Sequence, residues 1–296
     1  MLILEDLLIE VPDTNAHHWH LEEYSQDSTT DVLLYGYNAS ANEEFHQRCK
    51  DFKRKIYFNN WAPCEFAQYF PHNNKSGFDY EEYFTEVYSI CPYTVSWLNK
   101  QHFGRQYKDV FYPFRESLIP EEQPKEYDVI YHGGIHGQEH ANCLVAMREF
   151  NYRYETMTHH INSLTHKCLP LATNLDLSFS EKINLVAQSK ISVCYNLVHL
   201  TPAHIEALKT YKNWEDNKAF AEVGRRNVMP QFKTRAHEAA ISKTLNLVHR
   251  DRWNVMERYY TPESEFIYFD DEWDLRNRIK DVLENWNDYQ DVVESA

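Results

Sequence analysis

Three of the seven glycines in this 296-residue chain, Gly133, Gly134 and Gly137, fall within five residues. They follow the apolar run Asp128-Val129-Ile130-Tyr131-His132 and precede Gln138-Glu139. A strand that runs through Gly-Gly-x-x-Gly into a helix lets backbone amides approach a phosphate. The helix start adds unpaired N–H groups and the positive end of a dipole. His136 adds one more donor and is a candidate proton-transfer group. The spacing is not Gly-x-Gly-x-x-Gly, so a nicotinamide-type fingerprint is not supported. A tight strand-to-helix turn without a ligand is the competing reading.

A second constellation lies in Met229-Pro230-Gln231-Phe232-Lys233-Thr234-Arg235-Ala236-His237-Glu238. The sequence predicts a helix over 232–242, with Lys233 and Arg235 in its first turn. Cations there oppose the helix dipole and make more sense if an anion binds. Arg235 and Glu238 are three apart and share a face. They suit a diphosphate and a ribose diol, respectively. The alternative is an ordinary surface ion pair.

Several elements must position these groups. Strands are predicted at 31–37, 55–58, 86–90 and 110–112, with helices over 43–52 and 94–102 between them. Pro113, Pro120 and Pro124 then interrupt regular structure. The alternation restarts with strands at 127–131, 191–195, 245–248 and 266–269. Helices are predicted over 139–150, 179–188, 201–211, 253–260 and 274–286. Alternating strands and helices specify parallel α/β sheets. The expected organisation is a reduced first domain over 1–118, a linker over 119–126 and a second domain over 127–296.

Bulk properties narrow the function. The net charge is −15, which disfavours nucleic acid and anionic membrane surfaces as partners. No apolar run approaches the roughly 20 residues that span a bilayer. Glu5 and Asp6 stand where a signal peptide would be basic. The six cysteines are scattered without paired spacing, as expected of reduced thiols in a cytoplasmic protein. His17, His18 and His20 read as a solvated loop, and no metal site is expected. Asp270-Asp271-Glu272 reads as acids that open a helix.

The run from Lys233-Thr234-Arg235-Ala236-His237-Glu238-Ala239-Ala240 through Leu245-Asn246-Leu247-Val248 to Phe266-Ile267-Tyr268-Phe269-Asp270 resembles the donor-binding domain of GT-B glycosyltransferases. It is most similar to the group 1 type and its spore-maturation (CgeB-like) branch. The resemblance covers residues 125–286. It implies two Rossmann-like domains facing a cleft, closed by a C-terminal helix. It also implies metal-independent transfer of a hexosyl or pentosyl group from a UDP- or GDP-sugar to a saccharide or glycan. Carried over by position, Glu238 holds the ribose, and Arg235 and Lys233 neutralise the diphosphate. Gly133, Gly134 and Gly137 let the backbone approach it, and Asn196 lies beside the base or cleft. Retaining members carry two glutamates, and Pro230 stands where the first would be. The stereochemical outcome therefore stays open. On the acceptor side, Glu65 is a candidate base, and Asn38 and Trp61 are candidate sugar contacts. A non-catalytic sugar-nucleotide or glycan-binding module and a GT-B-related epimerase are the alternatives.

Overall fold

The structure is a computed structural model that describes residues 2–3, 32–36, 54–59, 62–69, 86–100, 106–111, 119–168, 173–211 and 228–296. Asn38, Trp61, Cys49, the His17–His20 group and the helix predicted over 43–52 lie outside the described residues. The chain divides into two compact units. One comprises Met1–Phe114 and Leu197–Phe232, the other Arg115–Asn196 and Lys233–Ala296.

The first unit carries strands β1 (Leu2–Ile3), β2 (Val32–Gly36), β3 (Arg54–Asn59), β4 (Glu86–Ser89) and β5 (Gln106–Asp109). They form one sheet in the order β1-β2-β3-β4-β5, parallel throughout. Helix α1 (Pro63–Tyr69) follows β3, and α2 (Pro92–Lys100) follows β4. The strand expected at 110–112 sits earlier. Tyr107 is buried and bonded to the Asn99 side chain, whereas Phe111 is exposed.

The second unit starts with β6 (Tyr127–His132), α3 (Gln138–Ala146), β7 (Tyr152–Thr156), α4 (Ser163–Cys168) and β8 (Asn174–Leu175). Helix α5 (Phe179–Ala187) and strand β9 (Ser189–Cys194) come next. The chain then returns to the first unit for β10 (Leu197–His199), α6 (Pro202–Leu208) and β11 (Val228–Pro230). Back in the second unit it forms α7 (Arg235–Ile241), β12 (Leu245–His249), β13 (Ile267–Phe269), α8 (Glu272–Glu284) and α9 (Gln290–Ser295).

The excursion over 197–232 was expected with the second half of the chain. Its apolar residues explain why it packs in the first unit. Val198, Leu208, Tyr211 and Met229 join Phe66 of α1 and Trp97 and Leu98 of α2 in one buried cluster. The Trp97 ring lies 5.1 Å from Tyr211 and 6.3 Å from Phe66. Burying each such side chain is worth about 1.5–3 kcal/mol. Thr201 caps α6 as the sequence foretold. Its hydroxyl accepts from the His204 amide, and proline opens the helix.

The second sheet runs β13-β12-β9-β6-β7-β8 and is parallel at every pairing. Renumbered within the unit, that is the doubly wound order 3-2-1-4-5-6, read from the β8 edge. Strand order reverses between β6 and β9, and in such sheets ligands bind beyond the strand C-termini at that point. The inner strand β12 is buried along its whole length, as required where helices cover both faces. Lys125, in the predicted linker, fastens two helix ends. Its ammonium donates to the Ala187 carbonyl at 2.8 Å and to the Lys243 carbonyl.

Two further expectations meet the structure here. Asp271 caps α8 by accepting from the Trp273 and Asp274 amides, both at 2.9 Å, so the acidic run has the local role assigned to it. The helix expected over 253–260 is reduced to a 3-10 turn, Val255–Arg258. Asn254 enters it with a φ of 51°, a left-handed conformation that an α-helix cannot propagate through.

Candidate functional site

The glycine loop lies at the switch point. β6 ends at His132, and Gly133 follows with a φ of +113°, which L side chains rarely adopt. A Cβ at Gly133 would stand 2.4 Å from the Arg235 guanidinium, and one at Gly134 would stand 2.8 Å from the His136 ring. The bare backbone at Gly133 therefore makes room for the guanidinium of Arg235. A phosphate was the expected occupant of that space. Gly137 opens α3, whose start has no side-chain cap.

Arg235 is the first residue of α7. Its guanidinium lies 4.7 Å from the Tyr131 ring centre and donates to the Tyr131 hydroxyl. That hydroxyl donates in turn to the Gly134 carbonyl at 2.8 Å. Burial pushes the Tyr131 phenol up to about 12, against the opposing pull of Arg235, so it stays neutral. Among the described residues, Arg235 has no carboxylate within salt-bridge distance. A planar five-donor group held on an aromatic face and lacking an anionic partner is suited to a phosphate.

Lys233 and Asn196 sit together. Asn196 is fully buried, and its Oδ1 accepts from the Lys233 amide at 3.0 Å. Its Nδ2 points at the Met256 sulfur, 4.0 Å away. Asn196 thus pins the backbone that leads into α7. Burial pushes His160 down to about 4, with His159, Arg235 and Lys233 adding to the effect against the opposing pull of Asp176, so its ring is neutral.

Glu238 was expected as an open acceptor for a ribose. The structure gives its carboxylate other work. Glu238 is 1% exposed. One oxygen accepts from Lys182 Nζ at 3.0 Å and from the Thr234 hydroxyl at 3.2 Å; the other meets His132 Nδ1 at 3.2 Å. This cluster ties α7 to α5 and to the end of β6. Burial lowers the His132 pKa, opposed by Glu238, so His132 is a neutral donor to a carboxylate already paired with a lysine.

His136 is exposed, and its amide lies 3.4 Å from His140 Nδ1. In the first unit, Glu65 sits in the first turn of α1. Its Oε2 accepts from the Ala62 amide at 2.9 Å and from Gln231 Nε2 at 2.7 Å. Glu65 therefore caps its own helix and holds the strand that ends at Pro230. Described residues of the second unit bring together Gly133, Gly134, His136, Lys233 and Arg235, with Asn196 and Glu238 as buried supports.

Tyr131, His132, Glu155 and Lys182 were not anticipated. Glu155 and Tyr131 belong to strands β7 and β6. β7 reads Tyr-Arg-Tyr-Glu-Thr, and its two charged residues hid a strand whose alternation was present. Lys182 lies on α5 among ordinary helix-forming residues, with no local mark of its role.

One structural change tests the link between Gly133 and Arg235. Gly133→Ala is expected to displace the guanidinium and strain the backbone, costing about 1–2 kcal/mol of stability. If an anion binds at Arg235, Gly133→Ala should weaken that binding nearly as much as removing Arg235. A chemical-denaturation curve and a pyrophosphate titration of the same sample check both parts. Unchanged affinity would separate Gly133 from the site.

Two parallel-sheet α/β units, the second in doubly wound order, define a GT-B-like α/β fold. No protein-family model and no curated protein matches the sequence. Solved structures match by fold. The chain is similar to the Anabaena protein HepE in complex with UDP and glucose, with 8% identity and a TM-score of 0.54, covering 90% of this chain and 71% of that one. A second HepE structure, with UDP-glucose, gives 10% identity and a TM-score of 0.51, covering 90% and 72%. Sucrose-phosphate synthase from Thermosynechococcus elongatus gives 10% identity and a TM-score of 0.52, covering 90% and 67%. Among the described residues, no helix is long and apolar enough to cross a membrane. The five described cysteines are buried, and no disulfide links any of them among the described residues.

Proposed function

We propose that the chain is a nucleotide-sugar-dependent glycosyltransferase and that its second unit binds the donor. The observation that carries this reading is Arg235, held on Tyr131 over Gly133 at the switch point of a doubly wound sheet, with no carboxylate partner among the described residues. A diphosphate placed there would receive the guanidinium fork, the Lys233 charge and the backbone of the glycine loop. Such preorganised positive groups stabilise a leaving diphosphate while a hydroxyl attacks the anomeric carbon. The donor is a UDP- or GDP-sugar, in keeping with the UDP and UDP-glucose bound by HepE. The order Arg235-x-x-Glu238-Ala239 supports placement with the group 1 type, near the spore-maturation branch. Buried thiols outside any disulfide support a cytoplasmic site of action.

The first unit, over 1–118 with the returning segment, would receive the saccharide acceptor. Glu65 remains the candidate base there, provided that substrate frees it from Ala62 and Gln231. Asn38 and Trp61 remain candidate acceptor contacts. A second reading, donor binding without transfer, is favoured by Pro230 in place of an acid and by the engagement of Glu65 in capping.

Incubation with UDP-glucose and GDP-mannose, with and without a mixed saccharide acceptor pool, separates the two. Acceptor-stimulated release of nucleoside diphosphate is expected. Tight nucleotide binding with no release under any condition would establish the non-catalytic reading.

A further inference from the structure

Glu155 carries a consequence for how this same site selects its ligand, and the inference rests on the donor-binding reading. Glu155 is the penultimate residue of β7 and pairs in register with His132, the last residue of β6. Register partners on neighbouring strands carry their side chains on the same face. His132 faces Glu238 and the start of α7, so Glu155 lies on the α7 side of the sheet. Its backbone carbonyl accepts from the Gly133 amide at 2.9 Å, which places it beside the glycine loop.

Glu155 is only 4% exposed, yet its carboxyl has no hydrogen-bond donor among the described residues. Neither oxygen is sealed from solvent, since neither is among the fully buried unpartnered atoms. A carboxyl sunk this deep without a donor is costly unless a ligand supplies one. Glu238 differs in each respect, because three protein donors fill it. In doubly wound sheets an acid at the end of the second strand, about 20 residues beyond the glycine loop, can accept from a ribose hydroxyl. Glu155 stands at the end of the second strand of its unit, 22 residues after Gly133.

We infer that Glu155 accepts hydrogen bonds from a vicinal diol of the bound nucleotide sugar, and so makes the site select a sugar-bearing diphosphate over a bare one. The diol belongs either to the ribose or to the transferred sugar. Both present the same pair of donors to a carboxylate.

The surrounding charges set when this acceptor is available. Lys182 on α5, Arg235 and Glu238 on α7, Asp176 in the loop before α5 and His132 on β6 are the titratable and charged groups around it. Burial pushes the Glu155 carboxyl up to about 7, against the pull of Lys182. Below that pH it is protonated and a poorer acceptor. Selection for sugar-bearing ligands should therefore be stronger at pH 8 than at pH 6.

The test uses the full chain and whichever of UDP-, GDP- or ADP-glucose the wild type binds most tightly, with inorganic pyrophosphate as the ligand that has no diol. Glu155→Met keeps length and removes both acceptors. Glu155→Gln keeps one neutral acceptor and the shape of the side chain. The nucleotide-sugar to pyrophosphate affinity ratio at pH 8 is expected to fall about 10-fold or more in Glu155→Met and less in Glu155→Gln. The ratio is internal to each sample, so a general loss of folding does not mimic the effect. The matching 2′-deoxynucleoside diphosphate, compared with its parent, then tells ribose from transferred sugar. A ratio less than threefold below wild type in Glu155→Met overturns the inference and leaves donor binding standing. A wild type that binds none of the three nucleotide sugars overturns the donor-site reading itself.

Discussion

Arg235→Ala is expected to weaken nucleoside diphosphate binding about 10- to 100-fold. Hydrogen bonds to charged groups contribute about 1.5–3 kcal/mol, and each 1.4 kcal/mol is about tenfold in affinity. The fold should tolerate the change. Tyr131 keeps its bond to the Gly134 carbonyl, and among the described residues Arg235 has no carboxylate partner to strand. Arg235→Lys should recover only part of the loss, because a lysine cannot present two parallel N–H groups or stack on Tyr131 in the same way. Calorimetric titration with UDP and GDP, alongside thermal melting, measures both effects. An affinity equal to wild type would remove Arg235 from the site.

Lys182→Met should act on stability. Lys182 is 12% exposed, and its partner Glu238 is 1% exposed. Removing one member of a buried pair leaves the other charge uncompensated and costs about 3–5 kcal/mol. His132 and Thr234 still donate to Glu238, so the lower end, roughly 3 kcal/mol, is expected. That corresponds to a fall of about 5 °C in melting temperature at this chain length. Affinity for nucleotide should fall too, because Glu238 anchors the turn that carries Arg235. A loss of less than about 1 kcal/mol would place the pair in the class of weak surface bridges.

The alternation of strands and helices was legible because apolar runs such as Leu245-Asn246-Leu247-Val248 leave little choice of period. The glycine cluster and Arg235 were legible because each breaks a local expectation: glycine where it is otherwise scarce, and a cation at a helix start. Two things were hidden. The excursion over 197–232 joins the first unit through Trp97 and Phe66, contacts more than a hundred residues away along the chain. The buried cluster around Glu238 depends on Lys182 and His132 arriving from other elements, and no local spacing encodes that. Glu238 was singled out from sequence as a ribose acceptor; its carboxylate is engaged by Lys182, Thr234 and His132, which is why the inferred acceptor is Glu155 instead.

The central claim is that the second unit places a diphosphate against Arg235 and the glycine loop. A crystal structure of the chain soaked with UDP or GDP tests it most directly. The account predicts the diphosphate within hydrogen-bond distance of the Arg235 guanidinium and near the glycine loop. A nucleotide bound elsewhere, or no bound nucleotide at millimolar concentrations with that surface open to solvent, would contradict it.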